Sequence, residues 1–164
     1  LHIQALINEG VEQVFCVCKS HREKKIVALG AIPIVYSDNI TQIRNIILSK
    51  ARYPILTAFE AVGSLDALNI CLSLIESKGR IILFGGYNKD TTLAVDLNGL
   101  HYRQIQLIGT YHYTSNKFAK SLAFMSKNSF DWESMLTHTL SFERINEAPN
   151  ILQNPSCVTL TITY

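Results

Sequence analysis

Residues 54–86, PILTAFEAVGSLDALNICLSLIESKGRIILFGG, contain the pattern of a strand, a helix and a second strand. Ser64 is a suitable helix N-cap, and Gly79 follows the helical segment. The apolar positions that share one face of this helix are Leu65, Leu68, Leu72 and Ile75. Two strands joined through a helix can lie parallel in one sheet, so this stretch predicts a βαβ unit.

The same alternation extends over most of the chain. Strand-like apolar runs occupy 14–18, 32–36, 54–63, 80–86 and 105–111. Helical patterns occupy 1–10, the segment that ends at Gly30, 40–48, and the segment with Phe118, Leu122 and Met125 on one face. VFCVC and RIILF are apolar on both faces, as expected for strands that helices cover on each side. The sequence therefore predicts an α/β fold with a doubly wound parallel sheet.

The C-terminal segment has a different pattern. In CVTLTITY, residues 157–164, apolar side chains alternate with threonines, which is typical of a strand with one buried and one exposed face. We expect this strand in another, largely antiparallel sheet. The stretch SKNSFD, residues 126–131, interrupts the preceding pattern, so a boundary is predicted near Asn128, between domains at 1–128 and 129–164.

Composition excludes several classes of function. The 164 residues are 48% hydrophobic and 17% charged, and 15 basic and 13 acidic residues give a net charge of +2. This balance offers no basic stripe for a nucleic acid, and no apolar run approaches the roughly 20 residues of a membrane helix. The four cysteines lie in apolar segments, which predicts reduced, buried thiols in a soluble cytoplasmic protein. They are Cys16, Cys18, Cys71 and Cys157.

Candidate binding residues follow the predicted strands. Ligands of doubly wound sheets bind where the carboxyl ends of the strands open into a crevice. These ends read 18–20, 60–63, 84–87 and 109–111, and three of the four contain glycine. Because glycine has no Cβ, its backbone can approach a flat ligand closely. The ends therefore predict a crevice for a small ligand.

Four motifs in order carry a resemblance to a known family. They are AVGS at 61–64, GRIILFGGY at 79–87, LIGTYHYT at 107–114 and LTHTLSFERINEA at 136–148. The chain resembles the coenzyme-binding half of the medium-chain, zinc-dependent alcohol and polyol dehydrogenases, and it is most similar to their sorbitol and threonine dehydrogenase branch. The resemblance implies a Rossmann domain that presents the nicotinamide of NAD or NADP to a catalytic zinc in a second domain. It also implies a homodimer or homotetramer that pairs through the strand at 105–111.

The resemblance assigns roles to residues at the strand ends. It implies that Val62 and Gly63 lie near the adenosine half of the cofactor. By the same comparison, the nicotinamide ribose lies near Phe84, Gly85 and Gly86. The backbone contacts to the carboxamide come from Gly109, Thr110 and Tyr111. The resemblance further implies that a C-terminal helix and the strand at 158–162 return to the catalytic domain. Thr159 stands where relatives often have a basic residue that contacts the pyrophosphate.

The end of the first strand predicts a preference for NADP. In NAD enzymes an acid at this position binds the ribose hydroxyls, and by the resemblance Cys18 occupies that position. Lys19 and Arg22, with Ser20 between them, would attract the 2′-phosphate that an acid would repel. A solvated, basic helix start is the alternative interpretation of these residues.

The resemblance also predicts what the sequence lacks. The family's first Rossmann strand, its Gly-x-Gly-x-x-Gly loop and its zinc-binding domain would all precede Leu1. We therefore expect a piece of a longer chain that is inactive alone, with no catalytic or metal-binding residue among the 164. Two alternatives stay open: a zinc-free, quinone-reductase-like member of the superfamily, and a non-catalytic nucleotide-binding or assembly module.

Other candidate sites are weaker. Tyr113 and Lys117 have the Tyr-x-x-x-Lys spacing of short-chain dehydrogenases, but the serine expected about a dozen residues upstream is absent. Cys16 and Cys18 share one strand face, without a second pair of ligands for zinc. The separated histidines are interpreted as structural, and Lys24 and Lys25 as a solvated helix face. These histidines are His101, His112 and His138.

Overall fold

A computed structural model describes residues 1–127 and 129–164. The chain forms two compact units, Leu1–Lys117 and Phe118–Tyr164. The predicted boundary near Asn128 lies outside the described residues.

The described elements confirm the predicted α/β class. The helices are α1 (His2–Asn8), α2 (Glu23–Ala28), α3 (Ile40–Lys50), α4 (Leu65–Leu74), α5 (Leu97–Arg103), α6 (Ser115–Lys127) and α7 (Ala148–Leu152). The strands are β1 (Phe15–Cys18), β2 (Ile32–Val35), β3 (Thr57–Glu60), β4 (Arg80–Leu83), β5 (Gln106–Gly109), β6 (His138–Ser141) and β7 (Leu160–Thr163). Short 3₁₀ turns occupy Ser20–Arg22 and Phe142–Glu147.

Two parallel sheets form the first unit. β1 pairs with β2, and β3, β4 and β5 pair in that order. Within the described ranges, β1 and β3 each have a strand partner on one edge only. This arrangement agrees with a doubly wound sheet whose central strand is not among these residues.

Helices α4 and α1 lie on opposite faces of both sheets. The α4 residues Ile70 and Leu74 belong to the cluster against β1 and β2, whereas Leu68 of α4 belongs to the cluster against β3 and β4. On the other face, α1 packs against β1 near Cys16, and the ring of His2 lies 5.4 Å from that of Phe59 in β3. Helical cover on both faces confirms the layering predicted for VFCVC.

Local hydrogen bonds explain where the helices begin. The Ala67 amide donates to the hydroxyl of Ser64 at 3.2 Å, which confirms the predicted N-cap of α4. The Gln42 amide donates in the same way to the side chain of Asn39, at 2.9 Å.

Within the described residues, no helix is both long and apolar enough to cross a membrane.

The second unit corrects the prediction for the last strand. β7 pairs with β6 in parallel, with Leu160 opposite His138, so the expected antiparallel sheet is wrong. The 3₁₀ turn and α7 lie between the two strands and supply the crossover that a parallel pair requires. Val158 and Tyr164 are also exposed, because the strand spans only 160–163. Alternation of apolar and polar residues indicates a strand with two different faces. It does not indicate whether that strand pairs parallel or antiparallel.

The cysteines are less buried than predicted. All four are free thiols with intermediate exposure. Cys16 and Cys18 lie on the same face of β1, as their spacing predicts, and pack near Ile26 of α2. Both faces of this short strand remain partly accessible, which leaves the thiols half-buried.

Candidate functional site

The carboxyl ends of β3, β4 and β5 lie side by side. Glu60, Leu83 and Gly109 are register partners across the three strands. The carbonyl of Glu60 accepts hydrogen bonds from the amides of Phe84 (2.8 Å) and Gly85 (2.9 Å). The Thr110 hydroxyl donates to the Leu83 carbonyl at 2.9 Å. Three of the four predicted ends therefore form one continuous edge.

Two glycines of this edge are required by contacts inside the protein. Gly63 has φ of +81°, and a Cβ at Gly63 would overlap the carbonyl oxygen of Gly86. A Cβ at Gly85 would overlap the amide nitrogen of Gly63. The loops after β3 and β4 thus meet backbone to backbone. Gly63 and Gly85 allow that approach, and their lack of a side chain does not by itself indicate a ligand.

Gly86 and Gly109 differ from that pair. A Cβ at either position would have no atom within 4 Å, so the space in front of each backbone is open. Side chains of the same strand ends are exposed: Val62 is 74%, Phe84 57% and Tyr111 87% accessible. An open backbone flanked by exposed apolar and aromatic groups can receive a flat, amphipathic ligand such as a nicotinamide nucleotide.

A buried carboxylate lies beneath the same edge. The Glu60 side chain is 1% exposed. One oxygen, Oε1, accepts hydrogen bonds from the amides of Val62 and Gly63, both at 2.8 Å. The other, Oε2, accepts from the Tyr87 hydroxyl at 2.7 Å. Three donors around one acid match the acceptor-only inventory of a carboxylate.

The carboxylate affects its titratable neighbours. Burial and the hydrogen bond to Glu60 raise the pKa of Tyr87, which keeps its phenol protonated. Burial and the same carboxylate raise the pKa of the Cys71 thiol to about 11. Both groups are therefore neutral at physiological pH.

The end of β1 is built more loosely. Lys19, Ser20 and Arg22 are exposed, and the turn is fixed by a backbone hydrogen bond from the Arg22 amide to the Lys19 carbonyl at 2.9 Å. Burial and the Glu23 carboxylate raise the pKa of the Cys18 thiol, although Arg22 acts in the opposite direction. Cys18 is therefore a neutral group at the position that, by the resemblance, carries an acid in NAD enzymes.

The end of β2 lies beside the β1 turn. The Tyr36 amide donates to the Cys18 carbonyl at 2.8 Å. Loss of hydration and the carboxylates of Asp66 and Asp38 raise the pKa of the Tyr36 phenol. Asp66 belongs to the first turn of α4.

Sequence reasoning missed two residues of this region. Glu60 and Tyr87 lie within the predicted strand ends 60–63 and 84–87, but neither was given a role of its own. The signal was an acid that closes an apolar strand, since a charged side chain at a buried position needs several partners.

The other candidate positions gain no chemistry from the structure. Within 1–127 and 129–164, no group of three or more potential ligands is placed to hold a metal ion. Nδ1 of His138 lies 3.0 Å from the Thr137 hydroxyl at the start of β6, which agrees with its structural interpretation. Tyr113 precedes α6 and is 70% exposed.

Comparison of structures supports the fold. The chain is similar to 2R,3R-butanediol dehydrogenase from Bacillus subtilis, with a TM-score of 0.81, 18% identity, and coverage of 99% of this chain and 46% of that one. An Escherichia coli alcohol dehydrogenase complexed with NADH gives a TM-score of 0.82 at 20% identity, with 99% and 48% coverage. Haloferax mediterranei glucose dehydrogenase, in complex with NADP, Zn and gluconolactone, gives a TM-score of 0.77 at 16% identity. The match covers 100% of this chain and 46% of that one.

Comparison of sequences identifies the family. A search of curated proteins finds no significant match. The family model described as zinc-binding dehydrogenase matches residues 1–127. The chain spans about half the length of the solved structures above. Both the matched range and the parallel Rossmann-type fold lead to one conclusion: the chain belongs to the zinc-binding dehydrogenase family.

Proposed function

We propose that this chain is the NAD(P)-binding part of a zinc-dependent oxidoreductase that transfers hydride between the nicotinamide and an alcohol or polyol. The observation that carries the proposal is the open backbone at Gly86 and Gly109, at the carboxyl edge of parallel strands in a zinc-binding dehydrogenase. When bound, the nicotinamide supplies the hydride donor or acceptor. The residues of this chain bind the cofactor and orient it.

Each strand end has a proposed part. Val62 and Gly63 lie near the adenosine half, and Phe84, Gly85 and Gly86 lie near the nicotinamide ribose. Of the three glycines in these loops, Gly86 alone has open space where a Cβ would stand, so we assign the closest approach to Gly86. The backbone at 109–111 contacts the carboxamide.

The cofactor preference is proposed to favour NADP. Cys18 is neutral and Lys19 and Arg22 are exposed, so a 2′-phosphate would find two cations and no carboxylate at Cys18 itself. Glu23, whose carboxylate raises the pKa of Cys18, opposes this preference. Of the three similar structures described above, one is a complex with NADP and another with NADH.

Further parts of the proposal concern the parent protein. We propose that its zinc ligands lie in another domain, as the family resemblance implies. We also propose a cytoplasmic homodimer or homotetramer that pairs along β5. Its outer edge has no strand partner in the described structure, and Ile108 is exposed there.

The test is cofactor titration of the full-length protein that contains this chain. We expect saturable binding of NADP by calorimetry, weaker binding of NAD, and oxidation of a panel of alcohols and polyols. Metal analysis separates the alternatives, since a zinc-free protein that reduces quinones would favour the quinone-reductase interpretation. Absence of binding for both dinucleotides would refute the proposal.

A further inference from the structure

Glu60 has five hydrogen bonds at the junction of two site loops. Its side chain accepts from the amides of Val62 and Gly63 and from the hydroxyl of Tyr87. Its backbone carbonyl accepts from the amides of Phe84 and Gly85. One residue therefore connects the loop after β3 with the loop after β4.

We propose that Glu60 and Tyr87 are positioning residues of the cofactor site, which hold the loops at 61–63 and 84–87 in the shape that receives the dinucleotide. This inference rests on the proposed NAD(P)-binding function. Neither side chain is assigned a contact with the reacting atoms.

The cost of burial supports a role beyond packing. A carboxylate that is 1% exposed loses its hydration, and an apolar side chain at the end of β3 would avoid that loss. The carboxylate is compensated only because three donors converge on it. Two of them are amides of the loop itself, so the acid determines the loop's conformation.

The same bonds restrict how the loop can bind a ligand. The amides of Val62 and Gly63 are already used by Glu60, so they are not available to the cofactor. The Val62 side chain, in contrast, is 74% exposed. We infer that this loop contacts the dinucleotide through the Val62 side chain, by apolar packing, and not through backbone donors.

Tyr87 closes the network from the second loop. Its hydroxyl is 2.7 Å from Oε2 of Glu60, and its ring packs with the cluster of Leu68 and Ile81 under the sheet. Gly85 and Gly86 directly precede it, and Gly85 lies against Gly63. Fixing Tyr87 therefore fixes the turn whose open side is proposed to face the cofactor.

The experiment compares five variants of the full-length protein by cofactor affinity, alcohol KM, kcat and melting temperature. Tyr87→Phe removes one hydroxyl and is expected to raise the Kd for NADP about tenfold. Because only the cofactor loops move, kcat at saturating cofactor and the KM for the alcohol should stay within about twofold of wild type. Tyr102→Phe, on exposed α5, is the matched control and should leave the Kd unchanged.

Substitutions of Glu60 separate position from charge. Glu60→Gln keeps an acceptor for the two amides, so binding should stay within about threefold of wild type, whereas Glu60→Leu should lose about 20-fold or more. Glu76→Gln, at an exposed turn, is the control for removing an acid. If Glu60→Leu does not fold, Tyr87→Phe and Glu60→Gln still decide the question.

The outcomes are distinguishable. A folded Tyr87→Phe protein with wild-type Kd overturns the positioning role, and so does a Glu60→Gln protein that binds as poorly as Glu60→Leu. If the wild-type protein binds neither NADP nor NAD, the proposed function fails, and the positioning role fails with it.

Discussion

The carboxyl ends of β3 and β4 differ from the end of β1. At β3 and β4, Gly63 lies against Gly85, and the buried Glu60 is hydrogen-bonded to both loops. At the end of β1, the side chains of Lys19 and Arg22 are exposed. The first end can hardly change shape without losing buried hydrogen bonds. The second end can exchange side chains at little cost in stability, because surface substitutions seldom matter much. The rigid ends of β3 and β4 thus suit binding of the part that NAD and NADP share. The exposed end of β1 suits discrimination between the two cofactors.

The largest effect is expected at the loop-to-loop contact. Gly85→Ala places a Cβ on the backbone of Gly63, and it should lower the free energy of unfolding by about 3 kcal/mol, as overpacking does. Gly86→Ala enters open space, so its effect on stability should stay below about 1 kcal/mol while cofactor affinity falls. Urea unfolding and cofactor titration of both variants measure this. Equal losses of stability would contradict the division of the glycines into two kinds.

The next effect concerns the thiol near Glu60. The pKa of Cys71 is about 11 in the folded protein, above its ordinary value of 9.0. The thiol keeps its proton longer in the folded state, so its contribution to stability is complete below pH 9 and is lost as the pH rises toward 11. We expect this loss to be about 2 kcal/mol, and Cys71→Val should remove it. Urea unfolding at pH 8 and pH 10.5 tests this, and an unchanged pH dependence in the variant would be the contrary result.

At the exposed end, the expected change is in selectivity. Cys18→Asp brings a carboxylate to the β1 turn and should lower the ratio of NADP to NAD affinity about tenfold, with little change in melting temperature. Cys18→Ser is the neutral control and should preserve the ratio. If serine and aspartate shift the ratio equally, charge at this position does not select the cofactor.

The smallest effect is expected at the helix caps. Ser64→Ala and Asn39→Ala each remove one capping bond and should each cost about 1 kcal/mol. Ser64 directly follows Gly63, so only its replacement should also weaken cofactor binding, by about two- to threefold. A similar loss of binding in Asn39→Ala would show that the rigid end is not special.

Local signals predicted much of the fold. Neighbouring residues determine the Ser64 cap and the helix that ends before Gly10. The length of the connections favours parallel pairing among the first five strands. Both kinds of information can be read from the sequence. Helix α5 was not predicted, because LNGLHYR has a glycine and no extended apolar stripe. The predicted direction of β7 was wrong, because whether a strand pairs parallel or antiparallel depends on its partner strand.

The candidate site was predictable in its location and less so in its mechanics. Glycines after strands indicated the crevice, but the sequence cannot distinguish Gly85, which contacts protein, from Gly86, which faces open space. That difference depends on the distance between two loops more than twenty residues apart. The role of Glu60 depends on the same long-range geometry, since Tyr87 is 27 residues away.

The placement of α1 and α4 has a consequence for cooperativity. Within the described residues the two sheets of the first unit share no strand pairing, so α4 on one face and α1 on the other carry their coupling. In the isolated chain of 164 residues, truncation of Ile70 would therefore let β1 and β2 open as a separate foldon, while β3, β4 and β5 keep their hydrogen bonds. Amide exchange would then show two protection levels within one Rossmann layer, divided between β1 and β3.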